Sequence, residues 1–125
     1  MSPTLPSETN PRWRHATGRA AEDLAARHLE EQGCRLLARH FACRGGEIDL
    51  IVEDAGVIVF VEVKARPTFD QTLQAIGRQQ RTRIARAASL FIAAHPAFAS
   101  LTMRYAVMVV LPWRLPRHVS GAWTD

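Results

Sequence analysis

Lysine is nearly missing from this sequence. Of its 16 basic Lys and Arg residues, 15 are arginine and one is Lys64. A solvated surface cation tolerates either residue, so a bias toward arginine explains the other positions. A lone lysine marks a place that needs a compact ammonium, which points at one atom as a planar guanidinium cannot. Chance alone would leave the survivor anywhere among the 16 basic positions. It stands two residues after Glu62, inside an otherwise apolar run.

Other scarcities narrow the classes. There are two cysteines, Cys34 and Cys43, in neither a CxxC pattern nor a His-partnered one, so we expect reduced thiols in a cytoplasmic protein. No apolar run approaches the roughly 18 to 20 residues that span a bilayer, so no membrane role is expected. The first residues, MSPTLPSETNPRWRHAT, hold no apolar segment of the kind a secretory signal needs. Repeats and low-complexity tracts are absent. The net charge is +4, a mild basic excess that admits a polyanionic partner without requiring one.

What is present reads as one domain. Residues 1–16, rich in Pro, Ser and Thr, are expected to form a flexible N-terminal arm, and 17–125 a single folded unit. From Gly18 to Gln32, Ala21, Leu24, Ala25, His28 and Leu29 recur at helical spacing, with Gly33 as the stop. Cys34 to Phe41, Glu47 to Glu53 and Val57 to Ala65 read as three strands, with Asp54-Ala55-Gly56 a turn signal before the third. Gln79 to Ala94 reads as a second helix, burying Ile84, Ala87, Ala88, Phe91 and Ile92. Leu101 to Leu111 reads as an inner strand, and the Pro-broken tail adds a short edge strand around Arg117 to Val119. The order is α-β-β-β-α-β, an α/β fold with a mixed central sheet flanked by helices.

The second and third strands carry Glu47, Asp49, Glu62 and Lys64 in apolar surroundings. Period-2 alternation puts Glu47, Asp49 and Ile51 on one face, and Ile48, Leu50 and Val52 on the other. Glu62 and Lys64 share a face with Ile58 and Phe60. If Asp49 lies opposite Glu62, Glu47 falls opposite Lys64, and all the charges gather at one end. A three-residue turn would break that register, so a four-residue connection or a bulge is expected. Adjacent carboxylates repel, and Mg²⁺ or Mn²⁺ would offset the repulsion. The residues alone leave a second reading open, a solvated salt-bridge patch. Glu22, at the margin of the first helix's apolar stripe, is placed to look toward the sheet. By itself it also fits a first-turn acid favoured by the helix dipole.

An acid on a first helix, then Asp, then Glu-x-Lys on the next strand resembles the PD-(D/E)XK, or restriction-endonuclease-like, nuclease superfamily. More closely, residues 18–123 resemble the YraN-like family of small uncharacterised bacterial proteins. Gly18 and Glu22, GEIDLI at 46–51, VFVEVKAR at 59–66, RIARAA, Arg104-Tyr105 and HVSGAW carry that likeness. The resemblance implies a Mg²⁺- or Mn²⁺-dependent endonuclease acting on DNA, branched or structured DNA included, or on RNA. The alternative it leaves is a non-catalytic nucleic-acid-binding or adaptor module. It further implies Asp49, Glu62 and the Val63 carbonyl as metal ligands, Lys64 on the attacking water, and Glu22 on a second ion or an ordered water. Glu47 would support Lys64 or Arg44. Resolvase-like members add the option of a homodimer. Two positions depart from the pattern: Ala106 stands where the family has Asp, and Gln79, Gln80 and Arg81 where it has a lysine.

Arg44 and Arg66 flank the hairpin, and Arg78, Arg81, Arg83 and Arg86 lie along the second helix, as a phosphate track or a solvated face. Trp13, Trp113 and Trp123 are read as stacking or core-capping groups. His28 is read as a core residue, and His40, His95 and His118 show no metal-ligand spacing.

Overall fold

The computed structural model describes residues 11–65, 77–110 and 117–120, with side chains over 18–65 and 77–110. Residues 1–10 of the expected arm lie outside these, as do Arg66, Trp113, Trp123 and the side chains of Trp13 and His118. The elements run α1 (Pro11–Glu31), β1 (Arg35–Cys43), β2 (Gly46–Asp54), β3 (Val57–Ala65), α2 (Arg78–Ala94), a 3₁₀ turn at Pro96–Phe98, β4 (Thr102–Val110) and β5 (Arg117–Ser120). This is the expected α-β-β-β-α-β order with its short final strand. Helix α1 starts earlier than its apolar stripe, at Pro11, where a fixed φ and a missing N–H suit the first helical position. No helix among the described residues is long and apolar enough to cross a membrane.

One sheet holds all five strands in the order β1-β2-β3-β4-β5. β3 and β4 are parallel, the other neighbours antiparallel. Helix α2 makes the connection that two parallel strands require. The helices cover opposite faces. Ala21, Ala25, Ala26 and Leu29 of α1 pack on Leu50, Val52, Val59, Val61, Ala106 and Met108. Ile84, Ala87, Ala88 and Phe91 of α2 pack on Ile48, Ile51, Ile58, Phe60, Val107 and Val109.

Three details correct the sequence reading. First, the β2–β3 ladder ends at Leu50 with Val61, one step short of Asp49 and Glu62, and the connection is tighter than four residues. Asp54 pairs with Val57, leaving only Ala55 and Gly56 in the turn. Both have positive φ, 49° and 85°, the pattern of a two-residue turn that matches strand twist. Second, Leu24 is exposed, and Ala26 is buried in its place. The buried arc of α1 is centred toward Glu22 and Ala26, which rotates Glu22 inward. Third, alternation along β2 breaks at Asp49. Ile48 joins the α2 side, whereas Leu50 joins the α1 side.

Gly46, which opens the GEIDLI motif, owes its identity to packing. A Cβ there would lie 2.3 Å from the Arg83 carbonyl oxygen and 3.1 Å from the Ala87 amide nitrogen, both helix backbone. Only glycine lets α2 come this close to β2. Gly18, within α1, has nothing within 4 Å of such a Cβ. The two glycines should therefore respond oppositely to alanine. Gly46→Ala should lower unfolding free energy by about 2 kcal/mol or more, as overpacking does. Gly18→Ala should raise it by about 0.5–1 kcal/mol through helix propensity. Urea denaturation measures both, and equal effects would contradict the packing argument.

Candidate metal and acid-base site

The site begins where the β2–β3 ladder ends. Regular pairing stops at Leu50 with Val61. One residue further, Asp49 Oδ2 accepts a 2.8 Å hydrogen bond from the Val63 amide. A side-chain carboxylate thus takes a donor that the next stretch of β2 would otherwise have satisfied, and the two strands part around it. Asp49 is 7% exposed and is the buried charged residue among those described. Strand residues carry N–H and C=O on the same edge, so the Val63 carbonyl also opens toward β2.

Two carboxyl groups meet Asp49 from different sides. On β3, Glu62 hydrogen-bonds to Asp49 and lies 3.4 Å from Lys64 Nζ. The Glu62 and Lys64 side chains are only 11% and 13% exposed. Burial, then repulsion from Asp49, pushes the Glu62 carboxyl up to about 8; the Lys64 ammonium opposes the rise. The Glu62–Asp49 carboxyl pair therefore favours holding a proton near neutral pH. Glu62 also lines a pocket of about 50 Å³ with Glu47, Gln80, Arg83 and Ile84, enough for a water molecule or an ion.

On the α1 side, Glu22 approaches Asp49 together with His40. Glu22, His40 and Asp49 each offer a ligand atom, all within 4.8 Å of one another. The Glu22 carboxyl is raised by burial and then by Asp49, while His40 and Arg39 draw it down. His40 reaches this cluster through irregular backbone. It has a φ of 50° in mid-strand. Arg39 pairs with Leu50 and Phe41 with Ile48, which sets His40 opposite Asp49. Arg39 and His40 both turn to α1, meeting Asp23 and Glu22. Phe41 then packs edge-on against Phe91 of α2, with ring centres 5.3 Å apart.

The structure thus brings Asp49, Glu62 and Lys64 together and sets Glu22 beside Asp49 on the helix α1 side. Glu47 is exposed at the pocket rim, near Arg83. Arg44, Arg78, Arg83 and Arg86 are exposed, whereas Arg81 is half-buried. His40 is the participant that the sequence did not reveal. Its spacing to other ligand-type residues is uninformative, and only the β1–β2 register puts it against Asp49.

The donor set suits a hard divalent cation. Carboxylate and carbonyl oxygens are the ligands Mg²⁺ and Mn²⁺ prefer, and a cation would relieve the repulsion that raises the Glu62 and Glu22 carboxyls. Comparisons with known proteins identify the family. The model of the uncharacterised protein family UPF0102 matches residues 21–110, from the middle of α1 to the end of β4. The chain belongs to this family. A UPF0102 protein of Methylorubrum extorquens is 45% identical over 123 residues, covering 98% of this chain and 96% of its own. Another from Methylocella silvestris is 47% identical over 105 residues, covering 84% and 85%. A third, from Paramagnetospirillum magneticum, is 44% identical over 110 residues, covering 85% of each. The UPF0102 family is the YraN-like family that GEIDLI and VFVEVKAR indicate.

The raised Glu62 pKa has a stability consequence whose sign is fixed. Its ordinary value is 4.5 and its folded value about 8, so the folded chain holds an extra proton between them. The associated stability is fully present below about 4.5 and is lost as pH rises through about 8. In metal-free buffer, wild-type unfolding free energy should fall from pH 5.5 to pH 8 by more than about 1 kcal/mol relative to Glu62→Gln. Parallel pH profiles for the two proteins would contradict it.

Proposed function

We propose that this protein is a metal-dependent nuclease that hydrolyses phosphodiester bonds, with DNA, including branched or structured DNA, as the favoured substrate and RNA as the other. The observation that carries the reading is the placement of the only lysine of the sequence. Its ammonium lies 3.4 Å from Glu62, whose carboxyl meets Asp49 at the point where two strands separate. An α-β-β-β-α-β core bearing Asp on one strand and Glu-x-Lys on the next is the restriction-endonuclease-like arrangement.

In this reading Asp49, Glu62 and the Val63 carbonyl would hold Mg²⁺ or Mn²⁺, which would supply charge neutralisation at the phosphate oxygens and activation of water. Lys64, at 13% exposure, is a point-charge donor able to orient the attacking water and steady the developing negative charge. Glu47 and Arg83 share the pocket with Glu62, so substrate phosphate would meet a guanidinium beside the carboxyl pair. Arg86 extends that charge along α2, since its Nη1 would lie 2.4 Å from a Cβ on Gly45. Arg44, on the same β1–β2 turn, and Arg81 continue the basic surface. Such contacts position a nucleic-acid backbone without reading sequence.

One observation favours the second reading, a nucleic-acid-binding module without cleavage. Ala106 is fully buried in the apolar cluster under α1, so the carboxylate the family pattern has at this position is replaced by core packing.

Labelled branched, single-stranded and duplex DNA, together with RNA, incubated with the protein and Mg²⁺ or Mn²⁺ test the proposal. Cleavage of at least one substrate is expected. Lys64→Ala should lower its rate by roughly 10²-fold or more, the scale of a lost transition-state donor, and leave binding within a few-fold. Metal-dependent binding without cleavage would support the second reading. Identical products from wild type and Lys64→Ala would contradict the nuclease assignment.

A further inference from the structure

We propose that Glu22, His40 and Asp49 form a mixed nitrogen–oxygen site on the α1 side of the sheet that binds a first-row transition-metal dication in preference to Mg²⁺. The site differs from the Asp49–Glu62–Val63 ligand set in its face of the sheet and in its donors, sharing only Asp49. It stands as a binding site whether or not the chain cleaves nucleic acid.

Several observations converge. The three ligand atoms already lie within 4.8 Å of one another, close enough for one ion to touch all three. They come from three elements, α1, β1 and β2, so the tertiary fold and not local sequence assembles them. Glu22 Oε1 is sealed from solvent and faces His40 Nε2 without hydrogen-bond geometry. Its contact is with the other candidate ligand atom, His40 Nε2, so the two donors already converge on one point. Asp49 is buried and held by the Val63 amide through Oδ2, which fixes the carboxylate in place. The His40 side chain is 59% exposed, so the cluster reaches solvent on that side.

The donor chemistry sets the preference. Mg²⁺ favours an all-oxygen octahedron and binds imidazole poorly; Mn²⁺, Fe²⁺, Co²⁺ and Zn²⁺ accept one imidazole with two carboxylates. Three protein ligands leave coordination positions open for water or a substrate oxygen.

The test uses the full chain loaded with Mn²⁺ and pulsed electron paramagnetic resonance, which reads nitrogen bonded to the ion. Wild type should show ¹⁴N coupling from one imidazole. His40→Asn, which tolerates a positive φ, should abolish it, as should Glu22→Gln by weakening the site at least tenfold. His95→Asn should leave the coupling intact. Calorimetric titration with Zn²⁺ alone should show a tenfold or greater loss of affinity in His40→Asn, with Mg²⁺ affinity unchanged within twofold. Circular dichroism confirms that each variant is folded. Absent ¹⁴N coupling in the wild type, coupling that survives in His40→Asn, or equal loss of Zn²⁺ and Mg²⁺ affinity would each overturn the proposal. Because no outcome depends on cleavage, failure here is distinguishable from failure of the nuclease reading.

Discussion

The organising interaction is the hydrogen bond from the Val63 amide to the Asp49 carboxylate. A buried backbone donor must find an acceptor, and at this point in the sheet the acceptor is a charged side chain. The substitution lets β2 and β3 separate without leaving Val63 unsatisfied. It also fixes a carboxylate where the sheet's two faces exchange roles, between Ile48 on the α2 side and Leu50 on the α1 side. The apolar layers on either face keep water away from it and supply the stability that holds it there.

That burial creates an electrostatic conflict which shapes the whole neighbourhood. Asp49 repels Glu62 from β3 and Glu22 from α1, and desolvation acts in the same direction on both. Lys64 relieves one side and His40 the other. A protein gains nothing in stability from such an arrangement by itself, because replacing buried ionic groups with apolar ones is often neutral or favourable.

The sequence made much of this legible. Strong periodicities marked both helices, the β-branched runs marked β2, β3 and β4, and the isolated charges in GEIDLI and VFVEVKAR stood out against apolar surroundings. The parity that sets Asp49 opposite Glu62 also followed from counting, even though Ala55-Gly56 closes the turn in two residues. What resisted reading was everything that depends on a broken pattern. Strict alternation assigns Asp49 to one face, whereas the positive φ of His40 lets Arg39 and His40 both meet α1 beside Asp49. Likewise, Leu24 belongs to the apolar stripe by spacing, but the helix packs about an axis nearer Glu22 and Ala26. Such rotations are decided by how small alanines let α1 approach the sheet, a tertiary property with no local signature.

The central claim is that the buried Asp49 carboxylate exists to hold a cation between diverging strands. Crystals grown with Mn²⁺ and measured at its absorption edge address it directly. The account predicts an anomalous peak bonded to Asp49, in the gap bordered by Glu62 and Val63 or by Glu22 and His40. Density without any anomalous signal at Asp49, at saturating Mn²⁺ and with the carboxylates ionised, would contradict it.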